Sequence, residues 1–207
     1  MSKKKILFSS EVRKQGFARG RFLSAVFIVI FGVIFRILLN EKVGIPNFEA
    51  VTALSLVSGS FLGGIFAPVI PLSIMFLSDI YFGNTSIYLF TWSAFILIGI
   101  FGLILKRNSK FYSLKITGFG ILSVLFFYLW TNFGWWLVSG MYPMNFQGLI
   151  KCYIAALPFL RNQIGSVLIF APLFSLIFFF ILNKFTKKLI QAETKKHENF
   201  TFISKIS

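Results

Sequence analysis

The stretch ITGFGILSVLFFYLWTNFGWWLVSGMYP, residues 116–143, is a long apolar run that ends among polar, aromatic and helix-breaking residues. Positions 116–137 carry no charged side chain, and a transmembrane helix needs about 20 predominantly apolar residues. Near its end lie an amide, Asn132, and two adjacent tryptophans, followed by Gly140 and Pro143. The pattern predicts a membrane-spanning helix that leaves the membrane, or lines a site, at this end.

The composition of the whole chain also indicates a membrane protein. Of its 207 residues, 57% are hydrophobic, 29 are phenylalanine and only 13% are charged. A soluble domain carries roughly 25% charged residues. The apolar runs are continuous, whereas the strands of a membrane β-barrel alternate apolar with polar residues. We therefore expect an all-α integral membrane protein.

The net charge of +15 is concentrated in three basic clusters, at residues 3–21, 106–115 and 184–196. All three flank apolar runs, as in the cytoplasmic segments of membrane proteins, so we expect no nucleic acid partner. Cys152 and His197 are each the single residue of their kind. A disulfide within the chain and a Cys/His metal cage are thus excluded, and we expect no cofactor.

The distribution of basic residues indicates which candidate spans cross the membrane. The candidates are residues 22–39, 48–66, 67–82, 87–105, 116–137 and 164–183. If all basic clusters face the cytoplasm, an even number of crossings separates each from the next. This requires that 48–66 and 67–82 both cross, and that 148–160 is interfacial or re-entrant. The prediction is about six transmembrane helices with cytoplasmic termini. A single membrane domain, 22–183, lies between basic tails at 1–21 and 184–207, in the cell membrane.

In this topology, the polar residues outside the basic clusters converge near the external face. A rise of about 1.5 Å per residue puts Asn132 close to that face, and Arg36 ends the first helix at the same level. Because Gly134, Gly140 and Pro143 interrupt the helix there, we expect an outward-facing pocket for a small molecule. The candidate substrate-binding residues are Asn47, Glu49, Asp79, Asn132, Trp135, Trp136, Tyr142 and Arg161.

Each candidate also has a structural interpretation. Asp79 would form a cap or an ion pair near the interface, although an ionisable residue within a span is by default a site candidate. Asn47 and Glu49 would be an ordinary helix start. The tryptophans and tyrosines would be an interfacial aromatic belt in contact with membrane lipid.

Small residues recur in the second span at Ser55, Gly59 and Gly63. Such a ladder lets another helix backbone approach closely. Packing within the chain and docking of a separate membrane subunit both remain open.

Several segments in this order resemble a bacterial multi-pass membrane protein family of uncharacterised function: NFEAVTALSLVSGSF, PLSIMFLSDIYFG, TNFGWWLVSGMYP with GLIKCYIAALPF, and APLF in the last helix. That family is similar to the substrate-binding (S) components of energy-coupling factor (ECF) vitamin transporters. The resemblance, over residues 45–175, implies an inner-membrane importer subunit with an external substrate pocket. It also implies a transmembrane coupling subunit and two ATPases as partners. Two features depart from S components: the first helix lacks an Ala-xxx-Ala pair, and Gly165-Ser166 replaces an expected Gly-Asp pair.

The sequence favours binding and transport over catalysis. The chain has no Walker-type loop for ATP, one histidine outside the spans, and a single aspartate. These numbers exclude a zinc protease helix and an aspartic protease dyad, so we expect no enzyme. The alternative to a substrate-binding subunit is a membrane scaffold or assembly protein.

Overall fold

The apolar runs become six α-helices in the computed structural model, which describes residues 3–83 and 86–203. The helices are α1 (Lys3–Val43), α2 (Val51–Phe61), α3 (Phe66–Phe82), α4 (Tyr88–Phe101), α5 (Tyr112–Val138) and α6 (Phe146–Ile203), with a 3₁₀ turn at Gly102–Ile104. The described residues contain no β-strand, which confirms the predicted all-α fold.

Three helical segments are long and apolar enough to cross a membrane. They are Lys14–Val43, Tyr112–Val138 and Phe146–Ile181. The other three helices are apolar but shorter. Large apolar side chains are exposed on the outside of the bundle, among them Phe22, Ile80, Leu122, Leu168 and Phe180. An apolar surface of this kind is typical of helices that face lipid.

The short helix α2 forms the centre of the bundle. Every residue of α2 except Ser60 is buried, and α2 contacts all five other helices. A helix that is hydrophobic all round has no face for solvent and must be enclosed. The other helices therefore surround α2.

Glycines let α2, α3 and α4 touch through their backbones. A Cβ atom on Gly59 would overlap the carbonyl oxygen of Gly99, and a Cβ on Gly99 would overlap the carbonyl oxygen of Ala67. A Cβ on Gly102 would meet the Leu56 carbonyl oxygen at 2.6 Å. A side chain at any of these three positions would collide with the backbone of a neighbouring segment.

Phenylalanines spaced four residues apart join α1 to α6. Residues at this spacing share one helix face. The rings of the α1 series contact those of the α6 series, with centroid distances of 6.3 Å for Phe27–Phe178, 5.6 Å for Phe31–Phe174 and 5.4 Å for Phe35–Phe170. These contacts hold the two long helices side by side in antiparallel orientation.

Basic residues gather where α2 ends, and we call this end of the bundle the basic end. Arg21 of α1 donates hydrogen bonds to the carbonyl oxygens of Leu62 and Gly63, the latter at 3.2 Å. A cation is favourable there because the last carbonyls of a helix carry partial negative charge. Arg107, after the 3₁₀ turn, lies over the Phe61 ring. The first two basic clusters thus meet at one end.

Three boundaries differ from the sequence prediction. Residues 148–160 are not a separate element, because they are helical and continuous with the rest of α6. Gly134 does not break a helix: α5 continues to Val138, and the missing side chain makes room for the Phe90 ring. The chain turns instead at Gly140, whose φ of 66° favours glycine. The helix in the second span is shorter than predicted, since 44–50 forms a connection.

Gly59→Ala tests the backbone contact. We expect it to lower the free energy of unfolding by about 3 kcal/mol or more, because overpacking that displaces backbone is costly. The measurement is the thermal unfolding midpoint in detergent, followed by size-exclusion chromatography.

Gly118→Ala in α5 is the matched control, since a Cβ there meets no atom within 4 Å. It should leave the midpoint unchanged or raise it slightly, because alanine has the higher helix propensity. Equal effects of the two substitutions would contradict the close α2–α4 packing.

Candidate functional site

A cavity of about 420 Å³ lies at the N-terminal end of α2. All six helices contribute to its wall, and the α1–α2 connection contributes as well. Its lining comprises Arg36, Leu39, Asn40, Gly44, Ile45, Pro46, Asn47, Phe48, Glu49, Val51, Met75, Thr91, Phe95, Phe127 and Gln163. We call this the central cavity. It combines aromatic and aliphatic walls with a few polar groups, as small-molecule sites do.

A second cavity of about 220 Å³ adjoins the first. Both are lined by Asn47, Thr91, Phe127 and Gln163. The second cavity adds Ile87, Tyr128, Thr131, Asn132, Trp135, Phe159 and Leu160. Together the cavities extend from the α1–α2 connection to the C-terminal part of α5.

Glu49 ties the start of α2 to α6. Its carboxylate accepts hydrogen bonds from the Thr52 backbone N–H at 2.9 Å, from the Thr52 hydroxyl, and from Nε2 of Gln163 at 3.2 Å. The Thr52 N–H has no partner within its own helix, so this carboxylate satisfies it.

The α1–α2 connection owes its shape to Asn47. This residue has a φ of 58°, in the left-handed region that asparagine tolerates better than most residues. The preceding carbonyl, of Pro46, accepts a hydrogen bond from the Asn162 amide of α6 at 3.0 Å. The connection is thereby fixed against α6 beside both cavities.

Asp79 is buried and fully engaged by protein donors. Its Oδ1 accepts from Nη1 of Arg36 at 2.6 Å, and its Oδ2 accepts from the Trp92 indole at 2.7 Å. Arg36 also donates to the Ser78 hydroxyl, and its guanidinium lies 5.3 Å from the Phe82 ring centroid. This network joins α1, α3 and α4. Asp79 therefore acts on the central cavity through Arg36, which lines it.

The structure brings four of the eight predicted site residues to the cavities. Asn47 lines both, Glu49 lines the central cavity, and Asn132 and Trp135 line the second. The other four line neither. Asp79 lies behind Arg36, the Trp136 indole donates to the Pro143 carbonyl at 3.0 Å, Tyr142 lies in the α5–α6 connection, and Arg161 is exposed on α6.

Sequence reasoning missed other wall residues, notably Gln163, Thr91 and Phe127. Gln163 is 1% exposed, and a buried amide in an apolar helix is itself a signal. The predicted last span, 164–183, begins one residue after Gln163 and so does not include it. Thr91 and Phe127 carried no such signal, since either residue is ordinary on a lipid-facing or packing surface.

The polar groups at the cavities are hydrogen-bonding groups. The described residues contain no group of three or more His, Cys, Asp or Glu that could hold a metal ion. The polar atoms at the cavities are amides, hydroxyls, one guanidinium and one carboxylate. They can fix the orientation of an amphipathic molecule whose apolar part lies against Phe95 and Phe127.

The ladder of small residues lies inside the chain rather than on its surface. Ser55 is buried and donates to the Val51 carbonyl at 2.7 Å, and Gly59 contacts α4 as described above. Gly63, with a φ of 61°, is half-buried in the turn after α2. The close approach that Gly59 permits is thus made within the chain.

The apolar, all-helical bundle with an internal cavity at one end defines a protein of the membrane-helical class. Within that class, the chain belongs to a family described as "Family of unknown function (DUF6580)", which it matches over residues 17–191. No curated protein and no solved structure gave a significant match.

Asp79→Ala tests the network behind the central cavity. Removing the carboxylate leaves the half-buried Arg36 cation without its counter-charge and the half-buried Trp92 indole without its acceptor, which should lower the free energy of unfolding by about 1–3 kcal/mol. Trp92→Phe removes one hydrogen bond and should cost about 1 kcal/mol. Thermal unfolding of the purified variants measures both effects.

The control is Tyr81→Phe, which removes an exposed hydroxyl 3.5 Å from Glu41 and should leave stability unchanged. If Asp79→Ala were as mild as Tyr81→Phe, the network would not hold α1 to α3.

Proposed function

We propose that this protein is a substrate-binding subunit of a membrane importer for a small vitamin-like molecule, similar to the S components of ECF transporters. The observation that carries the proposal is the central cavity, whose wall is built by every helix of the bundle. This cavity has polar groups from four elements, which are α1, the α1–α2 connection, α4 and α6, whereas a packing defect would lie between two neighbouring helices.

The proposal includes six membrane-embedded helices and cytoplasmic termini. It is supported by the meeting of Arg21 and Arg107 near the C-terminus of α2, because basic residues favour the cytoplasmic side. The cavities lie at the opposite end of α2, and they would then open toward the outside of the inner membrane. That is the side from which an importer takes its substrate.

Energy for transport would come from partner chains. We propose a transmembrane coupling subunit and two ATPases, since this chain has no phosphate-binding loop. Because Gly59 is used within the chain, a coupling subunit would have to contact the lipid-facing surface instead. Membrane lipid would cover the part of that surface that the coupling subunit does not contact.

Accessibility of engineered cysteines tests the orientation. In a Cys152→Ser background, Met144→Cys lies in the exposed α5–α6 connection and Asn108→Cys lies at the exposed basic end. A membrane-impermeant maleimide added to intact cells should label position 144 alone, and lysis should expose position 108. Labelling of both from the outside would contradict a crossing by α5, and the reverse pattern would contradict the orientation.

Native mass spectrometry tests substrate binding. We expect the detergent-purified chain to retain a molecule of small-ligand mass. Asn47→Gly, which removes the amide without straining a left-handed backbone, and Gln163→Leu should each weaken binding about fivefold, because one hydrogen bond contributes about 1 kcal/mol.

Thr117→Ala is the control, since this hydroxyl bonds only its own helix, at the Ser113 carbonyl, and lines neither cavity. It should leave occupancy unchanged. Protein that retains no small molecule, and binds only other membrane chains, would contradict the proposal and favour a membrane scaffold.

A further inference from the structure

Arg36 has hydrogen-bond donors that the protein does not use. Its Nη1 donates to Asp79 and Ser78, whereas Nε and Nη2 bond to no residue in the described part of the chain. The side chain is 21% exposed and lines the central cavity. The atoms Nε and Nη2 form one edge of the guanidinium, with two parallel N–H groups that match the two oxygens of a carboxylate or phosphate.

The guanidinium is held in a fixed position. Asp79 anchors Nη1, the Trp92 indole holds Asp79 from the other side, and the Phe82 ring lies against the cation. A planar donor that is already oriented loses little conformational freedom when it binds a ligand. Trp92 and Asp79 are therefore positioning residues for Arg36.

The other charge at the central cavity is already satisfied. Both oxygens of the Glu49 carboxylate accept hydrogen bonds from within the protein, from Thr52 and Gln163. The remaining polar lining, Asn40, Asn47 and Thr91, is neutral. Among the charged groups of the cavity, only Arg36 thus has unused N–H donors, on Nε and Nη2. A pair of charged donors of this kind favours an oxyanion as the ligand group.

We infer that the central cavity binds its ligand through a carboxylate or phosphate group held by Nε and Nη2 of Arg36, with the apolar part of the ligand against Phe95 and Phe127. This inference rests on the proposed function and narrows it to anionic amphipathic molecules. Arg36 was not among the residues predicted to bind substrate.

The test compares two probes that differ in charge but hardly in shape, 4-fluorobenzoate and 4-fluorobenzamide. Fluorine NMR measures their dissociation constants with the full chain in nanodiscs of neutral phosphatidylcholine. We expect the benzoate to bind at least about tenfold more tightly, because hydrogen bonds between charged groups are stronger than those to a neutral amide.

Three variants distinguish hydrogen bonding by Nε and Nη2 of Arg36 from the effect of its positive charge alone. Arg36→Lys keeps a cation beside Asp79 but lacks the parallel N–H groups, and it should weaken benzoate binding about tenfold. The double variant Arg36→Gln/Asp79→Asn keeps a neutral hydrogen-bonded pair, so that it folds, and should bind both probes equally. Lys42→Gln removes the same charge from the exposed end of α1 and should change neither.

The outcomes are distinguishable. Equal binding of both probes, unaffected by the Arg36 variants, would overturn the oxyanion site and leave a neutral binding cavity. Equal losses in Lys42→Gln and Arg36→Lys would also overturn it, because a general field would then act rather than a site. Failure of both probes to bind would contradict the proposed function itself.

A final arm identifies the source of the oxyanion. Short-chain phosphatidylglycerol is added to the nanodiscs. If it displaces the benzoate from the wild-type protein but has no effect in the double variant, Arg36 binds an anionic lipid headgroup. If the benzoate stays bound, the ligand is a water-soluble anion.

Discussion

The contact between the backbones of α2 and α4 is the constraint on which the rest of the structure depends. Gly59 and Gly102 bring no Cβ to this contact, so the backbones approach closely and five helices can enclose α2. In a membrane, burial of apolar surface between helices gains little, and close packing supplies the attraction instead. A Cβ at Gly59 or Gly102 would collide with backbone atoms across this contact and force α2 away from α4 and the turn that follows it.

Two arginines on α1 then fix the bundle along its length. Arg21 binds the last carbonyls of α2, and Arg36 binds Asp79 of α3, about 22 Å further along the same helix at 1.5 Å per residue. Each cation satisfies groups that would otherwise be costly in an apolar interior. Between them, α1 offers mainly phenylalanine rings to α6. Charged contacts thus set the register of α1, and rings fill the space between the two fixed points.

The sequence predicted the fold class well because continuous apolar runs have few structural solutions. Four of the predicted site residues, Asn47, Glu49, Asn132 and Trp135, lie around the cavities. The sequence did not predict which polar groups form hydrogen bonds with one another. Asp79 looked like a ligand-binding residue because it is ionisable, but the positions of Trp92 and Arg36 around it follow from tertiary packing. The start of α6 was also missed, because charge bias predicts that residues 148–160 are interfacial or re-entrant, whereas the helix is continuous through Lys151 and Pro158.

The length of α2 has a consequence for how the core is completed along its axis. Eleven residues give a rod of about 16 Å, roughly half of the 30 Å hydrocarbon thickness of a bilayer. Beyond the N-terminus of α2 lie the folded-back connection and the central cavity, where further turns of helix would otherwise complete the interior. In the proposed function, a bound molecule would take the place of those turns, so that recognition of the ligand and completion of the core would be the same event.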